Sequence, residues 1–212
     1  MLYIKSFEFS PIQENTYILY NDFNECIVID PGCYSDAEKE ALALFIHQNK
    51  LTPKLLLNTH CHLDHVFGNK YVAEKYKLTL HLHKNEEQVL TFAPTSGLIY
   101  NLPFDNYQGE FIFLEDNQTI NLGSDGLLVL LTPGHSPGSV SFYSKNNKFV
   151  IGGDVLFKNS VGRSDLPGGN HNVLIKSIKE KLLILPDDTV VYSGHGPKTT
   201  IGQEKKNNPY LQ

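Results

Sequence analysis

Three histidines and an aspartate fall within the six residues 60–65, in the segment NTHCHLDHVFGN. They are His60, His62, Asp64 and His65, in a chain that has 9 histidines altogether. Imidazole nitrogens and carboxylate oxygens are good ligands for zinc, and also for iron or manganese. A solvated polar loop is the alternative, but it explains poorly why four groups of ligand type lie so close together. We therefore interpret this segment as part of a metal site.

Three further apolar runs each lead into a turn that carries a histidine or an aspartate. LLVLLTPGHS carries His135, FVIGGDVLF carries Asp154 and VVYSGHGP carries His195. A glycine stands immediately before each of these residues, and glycine lets the backbone turn sharply and approach another group closely. If the ends of these runs converge on residues 60–65, five histidines and two aspartates share one place.

A set of seven such groups is too large for one tetrahedral ion, but it suits two ions that share a carboxylate. Side chains two residues apart in extended backbone point the same way, so His60 and His62 can face one ion. Asp64 and His65, at the following turn, can face a second ion. Two ions roughly 3.5–4 Å apart can hold a hydroxide between them and polarise a substrate oxygen. The spacing therefore predicts two divalent metal ions as cofactors.

The elements that must position these residues are strands mixed with helices, which predicts an α/β fold class. LYIKSFEF, NTYILYN and ECIVID are typical of strands, and SDAEKEALALFIHQNK predicts an amphipathic helix with Ser35 as its N-cap. Further helices are predicted to begin near Asp64, at about 172–184 and in TTIGQEKKN. Residues 92–109 are rich in Pro, Gly, Asn and aromatic residues, and we expect a long ordered loop there.

Length, charge and cysteine usage argue against several classes of protein. The 212 residues favour a single domain over residues 1–212, and no linker divides them. The net charge is −5 without a basic stripe, so we expect no nucleic-acid partner. No apolar run approaches membrane-spanning length and the N-terminus lacks a signal-peptide pattern, so we expect no membrane partner. The 3 cysteines form no C-x-x-C pair, and we expect reduced thiols in the cytoplasm.

Taken together, the motifs resemble the metallo-β-lactamase superfamily. Its signature H-x-H-x-D-H is matched by HCHLDH, and its later motifs are matched by PGHSPGS, GGD and GHG. The resemblance covers the chain from about residue 12 to the C-terminus. It implies an αββα four-layer sandwich, with mixed sheets in the centre, helices on the outer faces and the metals at one edge between the sheets. It also implies two ligand sets joined by a bridging carboxylate, namely His60, His62 and His135, then Asp64, His65 and His195, with Asp154 between them.

Within the superfamily, GRSDLPGG (162–169) and the C-terminal GHGPKTTIGQEKKNNPYL are similar to the glyoxalase II-like hydrolases. Those enzymes cleave thioesters such as hydroxyacylglutathione, and the full-length form carries a C-terminal helical extension that helps to bind glutathione. This chain stops shortly after NPYL, so we expect no such extension and a closer similarity to the compact bacterial forms. True β-lactamases are exported and replace residues of the second metal site. The intact His65 and the missing export signal therefore argue against antibiotic hydrolysis as the main role.

The resemblance implies a metal-dependent hydrolase of a small-molecule thioester. On this interpretation two metal ions hold a hydroxide that attacks the thioester carbonyl, and Asp64 orients the hydroxide. The ions are most simply Zn²⁺, with Fe or Mn as alternatives. Asp30, in VIDPG, is either a brace for a ligand histidine or a simple turn residue. Arg163 and Asp165 are expected to shape the pocket rim or to support the site, not to react.

Other functions stay open on the sequence alone. Persulfide dioxygenases resemble the same scaffold, use a single iron ion and consume oxygen, and they carry a Gly-Arg-x-Asp stretch like GRSD. Lactone hydrolysis is a further option, and a non-catalytic metal-binding module would have fully occupied coordination. His81 and His83 form a second H-x-H pattern, which we interpret as core or surface histidines. The pattern does not choose among the three metals, and it leaves the leaving thiol and the oligomeric state open.

Overall fold

The computed structural model describes residues 1–212, and most of its strands form two six-stranded sheets. The strands of the first sheet lie side by side in chain order. Its first three strands are antiparallel, and the pairings from the third strand to the sixth are parallel. The six strands are β1 (Leu2–Phe9), β2 (Glu14–Asn21), β3 (Glu25–Ile29), β4 (Thr52–Leu57), β5 (Leu80–His83) and β6 (Phe111–Leu114).

The second sheet is also mixed, since only one of its pairings is parallel. A short separate hairpin is formed by β11 (Leu156–Phe157) and β12 (Ser160–Val161). The strands of the second sheet are β7 (Thr119–Leu122), β8 (Asp125–Leu131), β9 (Val140–Ser144), β10 (Phe149–Gly153), β13 (Val190–Ser193) and β14 (Thr199–Thr200). Their spatial order is β14-β13-β10-β9-β8-β7, with β10 and β13 as the parallel pair.

Six α-helices and two shorter helical turns complete the chain. The first helix begins as predicted, because the Ser35 side chain accepts from the Glu38 N–H and Glu38 reaches back to the Ser35 N–H. None of these helices has the length and the apolar composition that a membrane span requires. The helices are α1 (Asp36–Gln48), α2 (Leu63–Val66), α3 (Asn69–Tyr76), a 3₁₀ turn (Lys84–Glu86), α4 (Glu87–Ile99), α5 (His171–Ser177) running on into a π-helix (Ile178–Leu182), and α6 (Ile201–Asn207).

Three apolar clusters hold these layers together. Side chains from the facing surfaces of both sheets form the cluster between them, including Leu19, Ile27, Leu127 and Phe142. A second cluster joins α1, α3 and α4 to the first sheet, and a third joins α5, the π-helix and α6 to the second sheet. Each fully buried Leu, Ile or Phe contributes roughly 1.5–3 kcal/mol. The layer order is helices, sheet, sheet, helices, which confirms the predicted αββα sandwich.

The prediction of a long loop over residues 92–109 is wrong, because residues 92–99 complete helix α4. A proline inside a helix removes one intrahelical donor, so Pro94 leaves the carbonyl of Leu90 without its usual partner. Nδ2 of Asn106 donates to that carbonyl at 2.7 Å. This contact from beyond the helix replaces the missing N–H and lets the helix continue through the proline.

The helix predicted to begin near Asp64 is in fact two short helices, α2 and α3. Phe67 and Gly68 separate the two helices, and the N–H of Gly68 donates to the carbonyl of Pro31 at 2.7 Å. All four residues of α2 are buried. The short helix α2 thus holds Asp64 and His65 in the interior of the protein.

Candidate metal centre

Seven side chains meet where β4, β8, β10 and β13 end, at one edge between the two sheets. Each of the four strands delivers its polar residues from the segment that directly follows it, which is why residues far apart in sequence come together. The seven residues are His60, His62, Asp64, His65, His135, Asp154 and His195. The geometry places all of them in one region, while their role as metal ligands stays a prediction.

The three-histidine cluster consists of His60, His62 and His135. Nε2 of His135 lies 2.8 Å from Nδ1 of His62 and 3.2 Å from Nε2 of His60. The Nδ1–H of His135 donates to the carbonyl of Arg163 at 2.7 Å, so the other ring nitrogen carries the lone pair that faces the cluster. Burial lowers the pKa of all three imidazoles, that of His62 to about 3. These rings are neutral, as metal-binding imidazoles must be.

The mixed cluster consists of Asp64, His65 and His195. Nε2 of His195 lies 3.1 Å from Oδ2 of Asp64, and Nε2 of His65 lies 3.8 Å from the same oxygen. The Nδ1–H of His195 donates to the carbonyl of Gln13 at 3.0 Å, which turns the opposite nitrogen toward the carboxylate. One carboxylate and two imidazoles thus share a second space beside the first cluster.

Asp154 lies between the two clusters. Its Oδ2 is 3.5 Å from Nε2 of His135 and 3.6 Å from Nε2 of His195, and its Oδ1 is 3.5 Å from Nε2 of His65. The chain crosses very close behind it, since a Cβ atom on Gly162 would lie 1.9 Å from the Asp154 carbonyl oxygen. The position is that of a carboxylate able to contact two neighbouring ions.

Charge couples the mixed cluster to Asp154. Burial alone would raise the pKa of both Asp64 and Asp154, but the neighbouring imidazoles, with His65 first among them, together outweigh it and hold both values below the ordinary range. Burial alone would lower the pKa of His65 and His195, but the two carboxylates raise both. The carboxylates are therefore ionised, and they make this half of the site attractive to cations.

The donor set fits divalent ions. Nε2 of His65 and Oδ1 of Asp154 are buried and have no hydrogen-bond partner in the protein. Unpaired buried polar atoms cost about 1–3 kcal/mol each, so such atoms need a partner of another kind. Ligand atoms of His60, His62 and His135 lie within 4.8 Å of one another, and so do those of the mixed cluster. Imidazole and carboxylate donors in sets of three suit zinc, iron or manganese.

Asp30 contacts a histidine of the site, which favours the first of its two sequence interpretations. Its Oδ2 lies 3.1 Å from Nδ1 of His65 and accepts the hydroxyl proton of Thr59 at 2.5 Å. Because that hydroxyl donates its only proton to Asp30, its oxygen accepts from Nδ1 of His60 at 3.1 Å. Asp30 has a φ of 48°, a left-handed conformation that costs a non-glycine residue of order 1–2 kcal/mol. One carboxylate thus orients a histidine in each cluster.

Arg163 and Asp165 are exposed at the rim and contact each other. Nε and an Nη of Arg163 each donate to a carboxylate oxygen of Asp165 at 2.8 Å. Neither side chain forms a hydrogen bond to the seven residues of the site. Only the backbone carbonyl of Arg163 does so, through His135.

The N-terminal hairpin supports the site in a way that the sequence did not reveal. Nδ2 of Asn15 donates to the carbonyls of Ser193 and Gly196, at 3.0 and 2.9 Å. The Tyr17 hydroxyl donates to the same Ser193 carbonyl at 2.6 Å. These contacts hold both sides of the turn that carries His195. The partners are 176 to 181 residues apart, so no local pattern predicts them.

Another buried acid, Glu86, also received no role from the sequence. It ends the 3₁₀ turn after β5, is fully buried, and accepts hydrogen bonds from the loops that carry the three-histidine cluster. The nearest sequence feature that could have drawn attention to this segment is the H-x-H pattern of His81 and His83. Nδ1 of each of those rings contacts backbone atoms instead of the cluster.

Comparison with known proteins agrees with this geometry. A family model described as the metallo-beta-lactamase superfamily matches residues 10–195, a span that contains both clusters. The probable metallo-hydrolase YqgX of Bacillus subtilis (strain 168) is 42% identical over 203 residues, which are 95% of this chain and 93% of the relative. The hydroxyacylglutathione hydrolase GloC of Haemophilus influenzae (strain ATCC 51907 / DSM 11121 / KW20 / Rd) is 36% identical over 202 residues, covering 94% and 93%.

Two solved structures are similar over nearly their whole length. The crystal structure of the BLEG-1 B3 metallo-beta-lactamase superposes with a TM-score of 0.91 at 40% identity, covering 99% of this chain and 100% of the other. The crystal structure of TTHA1623 in a di-iron-bound form gives 0.87 at 37% identity, covering 98% and 100%. The chain therefore belongs to the metallo-β-lactamase superfamily, whose fold binds divalent metal ions, and is a metallo-hydrolase of that family.

Proposed function

We propose that this metallo-hydrolase cleaves a small-molecule thioester of the hydroxyacylglutathione type. The observation that carries a hydrolytic role is the convergence of five imidazoles and two carboxylates at one sheet edge. The thioester is supported by the similarity to GloC, which extends over 94% of this chain and 93% of that enzyme. The match therefore leaves no large segment of GloC without a counterpart in this chain.

The ligand assignment follows the geometry of the two clusters. We assign one ion to the three-histidine cluster, a second to the mixed cluster, and Asp154 to both. Divalent ions bound there would lower the pKa of water toward neutrality and polarise the carbonyl oxygen of the substrate. Zinc is our first choice for both positions, with manganese as an alternative. The di-iron form of TTHA1623 supports iron as another alternative.

Asp64 is the residue to which we assign the orientation of the attacking water. Its pKa is held below the ordinary range by His65 and His195 against the effect of burial, so it is ionised and can accept a hydrogen bond. The imidazoles of His62 and His195 are partly exposed, whereas those of His60 and His65 are buried. We therefore expect the substrate to approach from the side of His62 and His195.

The leaving group needs no proton donor from the protein. Attack on the thioester carbonyl forms the new C–O bond, and the C–S bond then breaks with both electrons going to sulfur. A thiol ionises near pH 8.5, so the thiolate leaves without a proton from an acid on the protein. This agrees with a site whose seven side chains are all carboxylates or imidazoles.

Hydrolysis of a β-lactam is the second candidate, because BLEG-1 is similar at 40% identity and nearly full coverage. An assay that compares substrates on the same preparation separates the candidates. We would measure bound metals by elemental analysis and kcat/KM for lactoylglutathione and for a chromogenic cephalosporin. We expect two divalent ions per chain and at least about a 100-fold preference for the thioester. Faster cephalosporin hydrolysis, or oxygen uptake with glutathione persulfide and a single iron, would overturn the proposal.

A further inference from the structure

Glu86 joins the two loops that carry the three-histidine cluster. Its Oε2 accepts a hydrogen bond from the N–H of Cys61 at 2.8 Å, and Cys61 lies between the first two histidines of the cluster. Its Oε1 accepts from the hydroxyl of Ser136 and from the N–H of Gly138, both at 2.6 Å. Ser136 directly follows the third histidine. One carboxylate therefore contacts the chain beside every member of the cluster.

The carboxylate has no other support in this buried position. Glu86 is fully buried and forms no ion pair with a lysine, arginine or histidine. A buried carboxylate is strongly destabilising unless its oxygens are hydrogen-bonded, so all three donors are needed. Two of them belong to one loop and one to the other. These hydrogen bonds fix the distance between the two loops, because a loop that moves away from Glu86 leaves an oxygen of the buried carboxylate without a donor.

Close packing fixes the position of Glu86 itself. It ends the rigid 3₁₀ turn between β5 and α4, and Nδ2 of the preceding Asn85 lies 3.4 Å from the carbonyl of Pro137. A Cβ atom on Gly138 would lie 3.0 Å from Cγ of Glu86 and 2.8 Å from Nδ1 of His83. The loop of the third histidine therefore rests directly on this turn, with no room for a side chain between them.

We propose that Glu86 is a positioning residue of the metal centre, which sets the separation of the two histidine loops and thereby the affinity of the three-histidine cluster for its ion. It touches neither the ion nor the substrate. The inference rests on the proposed metal centre but not on the identity of the thioester. It differs from the role of Asp30, which acts on imidazole nitrogens, because Glu86 acts on backbone and hydroxyl groups.

Glu86→Gln tests this role, because it keeps the shape and replaces one acceptor oxygen by an NH2 group that faces a donor. The matched control is Glu87→Gln, which makes the same charge change one residue away at an exposed position. The measurement is competition for Zn²⁺ against a chromophoric chelator, together with the electronic spectrum of the Co²⁺ form. We expect one of two Zn²⁺ ions to bind about 10–100-fold more weakly in Glu86→Gln, as for other residues that support metal ligands. The second ion should stay within about threefold, and Glu87→Gln should match the wild type.

Ser136→Ala is a milder variant that keeps the test usable where Glu86→Gln does not fold. It removes one donor and leaves the carboxylate, so the same ion should bind more weakly by a smaller factor, about three- to tenfold. Wild-type affinities in both variants, or equal weakening of both ions, would overturn the positioning role. A wild-type protein that binds no Zn²⁺ would overturn the proposed metal centre as well. A wild type that binds two ions and cleaves no thioester would refute only the substrate assignment, since the metal titration still decides the role of Glu86.

Discussion

In the three-histidine cluster burial lowers the pKa of every imidazole, whereas in the mixed cluster the carboxylates raise the pKa of both imidazoles. The supports differ in kind as well. The first cluster is held largely through the main chain, by the Arg163 carbonyl and by the contacts of Glu86 with two loops. In the mixed cluster a carboxylate contacts a ring directly, since Asp30 lies against His65, while the ring of His195 donates to the Gln13 carbonyl.

This contrast predicts where substitutions matter. A residue that contributes only its backbone carbonyl can be replaced without loss of that contact, because every residue has a backbone carbonyl. A side chain whose carboxylate orients an imidazole cannot be replaced without changing the ring that it holds. We therefore expect the mixed cluster to respond to changes in the Asp30 side chain that holds the ring of His65, and the three-histidine cluster to respond to changes that move its two loops, Glu86→Gln among them.

Asp154→Asn should give the largest effect, because the Asp154 carboxylate lies between the two clusters and faces imidazoles of both. The amide keeps the shape but loses the negative charge that faces three imidazoles. We expect thioester hydrolysis to fall by more than about 100-fold, beyond the range typical of supporting residues, and bound metal to fall from two ions toward one. Steady-state kinetics and elemental analysis measure both quantities. Near-normal turnover with two bound ions would contradict the bridging role.

The sequence predicted the parts of the molecule that depend on residue type and local spacing. The pattern of residues 60–65 and the capping sequence at Ser35 are of this kind, and so is the αββα fold through its resemblance to a family. Local spacing was informative because each strand end delivers its own polar residue, so the convergence follows once the strands lie in two sheets. The arrangement of the strands in two sheets was predicted from the family resemblance.

The missed features all depend on contacts between distant segments. Helix α4 passes through Pro94 only because Asn106 supplies a donor from beyond the helix. Asn15 and Tyr17 support a turn near the opposite end of the chain. Two of the three donors to Glu86 are backbone N–H groups, which every residue carries, and all three lie more than 20 residues away in sequence, so no local pattern identifies them. Such contacts are set by tertiary packing and are visible only in the structure.

Asp30→Asn should weaken the mixed cluster more than the three-histidine cluster. Both Asp30 oxygens accept two hydrogen bonds, so an NH2 group in place of either oxygen faces two donors. We expect the ion of the mixed cluster to bind about 10–100-fold more weakly, as for other lost partners of ligand histidines. The other ion should change less, because Asp30 reaches His60 only through Thr59. Zn²⁺ competition titrations measure both affinities.

Thr59→Val is the matched comparison, since it removes the hydroxyl that links Asp30 to His60 and leaves the contact with His65 in place. It should reverse the order of the effects, weakening the ion of the three-histidine cluster more. The same order of effects in both variants would show that Asp30 acts on the fold as a whole and not on individual rings.

Asn15→Ala should have an intermediate effect, confined to the mixed cluster. The variant removes the donor to the carbonyls of Ser193 and Gly196, on either side of His195. We expect the free energy of unfolding to fall by about 1–3 kcal/mol and the ion of the mixed cluster to bind roughly tenfold more weakly. Denaturant unfolding and Zn²⁺ titration measure the two. Tyr17→Phe is the milder control, because Ser193 then keeps its bond from Asn15, and weakening of the other ion instead would contradict the assignment.

Arg163→Ala should have the smallest effect on the metals. The side chain is exposed and contacts only Asp165, while His135 needs only the Arg163 carbonyl. Exposed ion pairs contribute little to stability, so the melting temperature and both Zn²⁺ affinities should equal those of the wild type within error.

The neighbouring Gly162→Ala should have the opposite effect, because its Cβ atom would lie 1.9 Å from the Asp154 carbonyl oxygen and 3.3 Å from Cβ of His135. The contact with the Asp154 carbonyl requires a backbone shift, and the His135 side chain must give way by a smaller amount, so we expect this variant to lower the affinity of both ions. If Arg163→Ala lowered metal affinity as much as Gly162→Ala, main-chain support of the three-histidine cluster would be the wrong explanation.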